Sequence, residues 1–318
     1  MSVVISLAAA DGLPLAGRHW PPAGEPWATL LIVHGLAEYS GRYERAGAVL
    51  ARAGIDTHAL DLRGFGRSGG RRAWVGRWGV YLDDMDRALE AIRSSGIPTV
   101  LLGHSFGAII ALDHALSSRG PADLLLLSAL PLVARLPLPQ RVAVAALGRL
   151  LPTLEVPNGL RGEQLSRDPA VGEAYFADPL VHTRSTLQLG RESLAAMARL
   201  GAAWRRLAVP TLVIQGGQDT IVPPEASAPM AELPVVERVV YPALRHELFN
   251  EPEGEQVLGE VVGWIRRQAA VLRFPKRAEA TTAPATAPTA TSTMSAGESR
   301  SADPAPPVGD GEGPEPSR

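Results

Sequence analysis

Two stretches of the sequence fit the spacing G-x-S-x-G, in which a serine stands at a sharp turn between small neighbours. One is GFGRSGG (64–70), where Gly66, Ser68 and Gly70 satisfy it, and the other is GHSFG (103–107) around Ser105. The chemistry on offer is attack by a serine hydroxyl, which is a weak nucleophile until a base takes its proton. GFGRSGG also fits G-x-G-x-x-G at Gly64, Gly66 and Gly69, the spacing of a dinucleotide-binding loop. Context decides between them. Both chemistries need a strand before the motif and a helix directly after it. GFGRSGG runs on into RRAWVGRWG, which starts no helix, and Asp83 and Asp84 fall near the start of a helix and not at the end of the next strand. GHSFG is bracketed as required, by the apolar run VLLGH and the helical FGAIIALDHAL. Ser105 is the candidate nucleophile.

In an open α/β sheet with this turn, the partners follow in the order Ser, Asp or Glu, His. Of seven histidines, His19, His34 and His58 precede Ser105 and His104 adjoins it. His114 lies in the next helix and His182 in a strandless interval. His246 follows the last strand, in the loop before the final helix, and is the candidate base. PTLVIQGGQD ends in Asp219, which is placed to fix the His246 tautomer and stabilise the imidazolium. Glu225 and Glu247 rival it by charge but not by position at a strand end. An oxyanion needs two backbone N–H groups. One is that of Phe106, after the nucleophile. The other comes from the loop holding His34, Gly35 and Leu36, with the Leu36 amide favoured.

The elements that must position these residues alternate along the chain. Strands are expected at TLLIVHG (29–35), IDTHALDLRG (55–64), TVLLGHS (99–105), DLLLLSAL, PTLVIQGGQD and VERVVYPALRH. Helices are expected at 41–54, 81–96, 106–120 and EGEQVLGEVVGWIRRQ. Such alternation predicts an α/β fold, a mostly parallel sheet with helices on both faces. Between Pro131 and about Trp204 no buried strand is expected, only helical pieces broken by Pro and Gly, which reads as a cap standing on the sheet. The expected division is a core over 1–130 and 205–273, a helical cap over 131–204, and a disordered Pro/Ala/Thr-rich tail over 274–318.

Composition closes off other chemistries. A net charge of -2 over 318 residues gives no field to attract nucleic acid, and the absence of cysteine excludes disulfides and thiolate sites. The proposed chemistry requires no cofactor and no metal. The start, MSVVISLAAADG, lacks the basic region of a secretory signal, and no apolar run reaches about 18 residues, so a cytoplasmic location is expected.

With these residues in place, the sequence resembles the monoacylglycerol lipase and lysophospholipase group of α/β-hydrolases over about residues 1–270. HGLAEYSGRY (34–43) is similar to that group's HG-x-x-E-x-S-x-R-Y segment, and DLRGFGRSGG (61–70) to its Gly-rich loop. GHSFG, SRDP (166–169), DPLV (178–181), QGGQD (215–219) and RHELFNE (245–251) match in order. Two positions depart: Phe106 replaces the methionine of the usual GHSMG, and Leu36 is bulkier than the common alanine.

The resemblance implies an α/β-hydrolase fold and hydrolysis of glycerol monoesters, with the acyl chain in an apolar tunnel under the cap. Glu38, Arg42 and His104 match positions at its polar head-group end; a structural ion pair between Glu38 and Arg42 is the alternative. It also implies a lipid ester substrate and peripheral membrane contact through the cap. A lysophospholipase or short-chain carboxylesterase would use the same triad, and an aminopeptidase or a non-catalytic binding protein would share the fold. On this reading GFGRSGG is a turn that holds the sheet edge.

Overall fold

The computed structural model describes residues 2–133 and 137–272. The tail expected over 274–318 lies outside them. Along the chain the strands are β1 (Val3–Ala8), β2 (Pro14–Trp20), β3 (Ala28–Val33), β4 (Ile55–Leu60), β5 (Thr99–His104), β6 (Leu124–Ser128), β7 (Glu155–Pro157), β8 (Arg184–Thr186), β9 (Thr211–Gly216) and β10 (Val236–Tyr241). The helices are α1 (Glu44–Arg52), α2 (Gly79–Ile92), α3 (Phe106–Leu116), α4 (Leu138–Leu150), α5 (Gly162–Leu165), α6 (Pro169–Ala177), α7 (Leu187–Ala203) and α8 (Gly254–Val271).

The main sheet has the order β1-β2-β4-β3-β5-β6-β9-β10. From β4 to β10 every pairing is parallel, while β1 on β2 and β2 on β4 are antiparallel. The continuous apolar runs behave as expected: every residue of β3, β5, β6 and β9 is buried, because helices cover both faces. One face packs on α2, α3 and α7, around Leu101, Ile110 and Leu127. The other packs on α1 and α8, around Leu30, Leu102 and Trp264. A fully buried leucine contributes about 2 kcal/mol, so the four consecutive leucines of β6 anchor the centre.

The N-terminal hairpin β1–β2 is an addition to the expected strands. Val3 and Val4 are 55% and 60% exposed, so the apolar pattern of β1 does not report a buried face. It is an edge strand, held by its ladder to β2.

Between β6 and β9, which lie side by side, the chain leaves the sheet. Among the described residues its regular elements are helices except for the three-residue strands β7 and β8, paired antiparallel, where only helices were expected. Neither strand joins the main sheet. α7 packs on α3 and α4. It is also fastened to the loop before α2: the Thr186 hydroxyl caps α7 by accepting from Leu189 N (3.2 Å) and donates to Ala73 O (2.6 Å). Gln188 donates to Gly76 O (3.0 Å), and Glu192 accepts from Trp78 N (2.7 Å). Among the described residues, no helix is long and apolar enough to cross a membrane.

Candidate active site

Ser105 sits where β5 turns into α3, with φ 52° and ψ −111°. A positive φ in a residue with a Cβ costs roughly 1–3 kcal/mol, and the surroundings must hold it. They do so with Ser105 N donating to Ser128 O (2.8 Å), while Ser105 O accepts from Ala108 N (3.0 Å) and Ile109 N (3.3 Å). The two flanking glycines are steric necessities. A Cβ on Gly103 would lie 2.4 Å from Gly107 O, and one on Gly107 would lie 2.1 Å from Val33 O. The turn can close only without those side chains, which is the physical content of G-x-S-x-G.

His246 and Asp219 come together because the loops after β9 and β10 are stitched to each other. Gly217 N donates to Tyr241 O (2.8 Å) and Gln218 N to Leu244 O (2.9 Å). His246 Nδ1 lies 2.7 Å from Asp219 Oδ2. Donation from Nδ1–H to the carboxylate leaves Nε2 as the acceptor nitrogen. The carboxylate is itself oriented, since its Oδ1 accepts from Ile221 N (2.9 Å) and Val222 N (2.8 Å) and its Oδ2 from Gln215 Nε2 (3.2 Å). Among the described residues the Ser105 hydroxyl makes no hydrogen bond, to His246 or otherwise. Contacts of this kind commonly tighten only around substrate.

His104 lies beside His246, with ring centroids 4.8 Å apart and Nδ1 3.1 Å from Ser128 Oγ. Burial, with the neighbouring His246 adding to it, holds its pKa down to about 3. So weak a base cannot compete with His246 for the serine proton.

The loop after β3 faces the elbow. A Cβ added to Gly35 would stand 3.5 Å from Ser105 Cβ. His34 fixes the loop's base, its Nδ1 2.7 Å from Gly35 O and its Nε2 accepting from Leu62 N (2.9 Å). Glu38 Oε1 accepts from Gly35 N (2.6 Å) and from the Tyr43 hydroxyl (2.8 Å). Burial and the Glu38 charge push the Tyr43 phenol well above its ordinary pKa, so it stays a donor. Among the described residues neither the Leu36 nor the Phe106 amide donates a hydrogen bond, which leaves both free for an incoming oxygen.

Arg42 ties this loop to two others. Its guanidinium grips Glu247 at both ends (2.6 and 2.8 Å), reaches Glu38 Oε2 at 3.4 Å, and lies 4.6 Å over the Tyr175 ring of α6. Burial works against its charge, but Glu247 and Glu38 overcome that and hold its pKa above the ordinary value. Glu38, Arg42 and His104 therefore gather beside Ser105 and His246, with both Glu38 oxygens, the Arg42 guanidinium and His104 Nδ1 engaged by protein groups. Sequence reasoning missed the partners Glu247, Tyr175 and Ser128. Only the position of Glu247 next to His246 was a signal.

GFGRSGG lies elsewhere in character. Ser68 is 1% exposed, donates to Asp61 O (2.6 Å) and accepts from Ala16 N (2.8 Å), joining the loop to β2. Phe65 reaches inward to pack against His34 and Phe106. The Phe106 ring stacks edge-on with Trp78 (5.6 Å) and Tyr81 (5.7 Å), so the residue that departs from GHSMG fills an aromatic cluster.

A family described as serine aminopeptidase S33 matches residues 24–253. A monoacylglycerol lipase of Mycolicibacterium smegmatis is 36% identical over 276 residues, covering 82% of this chain and 95% of that protein. A human monoglyceride lipase is 31% identical over 275 residues, covering 82% and 89%. The crystal structure of a Paleococcus ferrophilus monoacylglycerol lipase superimposes with a TM-score of 0.72 at 29% identity, covering 80% of this chain and 99% of that one.

Proposed function

The chain belongs to the serine aminopeptidase S33 family of α/β-hydrolases, and on that premise we propose that it is a serine ester hydrolase cleaving monoacylglycerols to fatty acid and glycerol. The observation that carries the reading is the 2.7 Å contact from His246 Nδ1 to a buried, fully oriented Asp219, set beside the strained Ser105 turn. The substrate class follows the relatives of that name, each matched over most of its length.

In the proposed reaction Ser105 Oγ attacks the ester carbonyl as His246 Nε2 takes its proton, and Asp219 stabilises the imidazolium. The Leu36 and Phe106 amides hold the oxyanion. His246 returns the proton to the departing glycerol, and a water then releases the acid from the acyl-enzyme by the same steps reversed. Leu36, Leu165 and Val181, in the apolar cluster that joins the loop after β3 to the excursion, are the first surfaces an acyl chain would meet.

We take residues 131–204 as the cap. Leu138, Val142 and Leu150 on its outer helix are 70%, 59% and 75% exposed and alternate with Arg141 and Arg149. That is a face suited to peripheral contact with the lipid surface holding the substrate.

The family's aminopeptidase label is a weaker fit. The oxygens of Glu38 and Glu247 are already taken by Arg42, Gly35 N, the Tyr43 hydroxyl and Asn250 Nδ2, so neither presents a ready seat for a substrate ammonium. A turnover series of 1-monoacylglycerols against lysophosphatidylcholine, short-chain esters and aminoacyl amides, varied in chain length, tests the proposal. Faster turnover of any of the other three classes would replace monoacylglycerol as the substrate class.

A further inference from the structure

On the sheet face that carries α2 and α3, the antiparallel register of β2 and β4 sets His19 directly opposite His58, and Asp56 follows two residues away on the same face. Directly opposed residues in such a ladder have Cβ atoms about 5 Å apart, so three side chains project from a rigid base into one place. His19 Nε2 lies 2.6 Å from Asp56 Oδ1, and His58 Nε2 lies 3.1 Å from Oδ2. The two rings stack at 4.2 Å.

We infer that His19, Asp56 and His58 form a binding site for a late first-row divalent cation such as Zn2+ or Ni2+. All the ligand atoms lie within 4.8 Å of one another. A tetrahedral ion at about 2 Å from each needs them about 3.3 Å apart, so closure requires the two rings, stacked within 5° of parallel, to tilt until their lone pairs meet beside Asp56. The side chains of His19 and Asp56 are 27% and 25% exposed, so both can turn and an ion can enter from water. Two imidazoles and one carboxylate form a donor set for Zn2+, Ni2+ or Cu2+ and not for Mg2+ or Ca2+. Water completes the coordination.

The site is remote from the chemistry. Leu31 aligns with both His58 and Leu101, and Ser105 lies four residues beyond Leu101, about 13 Å along the strand direction and two strands over. Its role is to brace the antiparallel edge, β2 to β4.

Chelator-stripped, tag-free full-length protein should take up one Zn2+ by calorimetric titration and melt at a higher temperature with the ion present. Cu2+ bound at the same site should show two nitrogen ligands by electron paramagnetic resonance. Asp56→Asn and the His19→Ala/His58→Ala pair should each weaken binding by about tenfold or more and abolish the thermal shift. Ester turnover should not change. His19→Gln, which keeps a polar group against Asp56, serves if the double variant does not fold. Absence of Zn2+ binding in the unsubstituted protein, a Cu2+ spectrum without nitrogen ligands, or undiminished binding in the variants would overturn the assignment.

Discussion

Two loops of this molecule carry a serine between glycines, and their hydroxyls have opposite fates. Ser68 is buried, and its oxygen both donates and accepts to backbone groups on two different segments. Ser105 is partly exposed and held at φ 52°, and among the described residues its hydroxyl bonds to no protein group. A satisfied hydroxyl is a structural staple, because leaving either backbone group unpaired in the interior costs free energy. A hydroxyl open to water on a strained turn stays accessible to an incoming group while the backbone bears the strain, in keeping with the reacting role proposed for Ser105. The two motifs are the same on paper, and what separates them is where each oxygen spends its hydrogen bonds.

The sharpest test of the contrast is Ser105→Ala. Turnover should fall by about ten-thousandfold or more while the melting temperature barely moves, as read by ester hydrolysis and calorimetry. Asp219→Asn comes next. It keeps the shape but presents His246 with the wrong hydrogen-bond partner, and kcat should drop by about a thousandfold or more. Ser68→Ala should show the reverse profile. Turnover stays within a few-fold of the unsubstituted enzyme, whereas stability falls by about 2 kcal/mol, since Ala16 N–H and Asp61 C=O both lose their partner. A loss of activity there comparable to that of Ser105→Ala would collapse the distinction.

The last test concerns His104, whose effect is nil at neutral pH and grows only on acidification. Its pKa is lowered from 6.5 to about 3, so below pH 6.5 the unfolded chain binds a proton that the folded one refuses. Stability should therefore decline as pH falls through that window, by about 1.4 kcal/mol per unit from this group. Denaturant titrations of His104→Gln should show a flatter decline over the same range.

Much of this was legible from residue order. The runs TLLIVHG, TVLLGHS and PTLVIQGGQD are apolar throughout because their strands are buried on both faces, so β3, β5 and β9 read plainly. The elbow at Ser105 was readable because strand, small residues and helix are contiguous. β1 was not, because an edge strand with exposed valines obeys no inside–outside rule. Nor was the Arg42–Glu247 pair, since 205 positions separate its members and only the folded loops bring them together. Phe106 shows a third limit. Its identity departs from the usual pattern, yet its ring belongs with Trp78 and Tyr81, a neighbourhood no local spacing reveals.

The long excursion between β6 and β9 has one further property. Its two ends emerge from strands that are hydrogen-bonded neighbours, with Ala129 N donating to Ile214 O at 3.0 Å. The chain therefore leaves the sheet and re-enters it at neighbouring points. Closing a loop over that gap costs only weakly more as the loop lengthens. Length can accordingly vary in the outer part of the excursion, α4 with β7 and β8, whereas α7 is packed on α3 within the core and Leu165 O holds Glu247 N next to His246, so those pieces are bound to the site they cover.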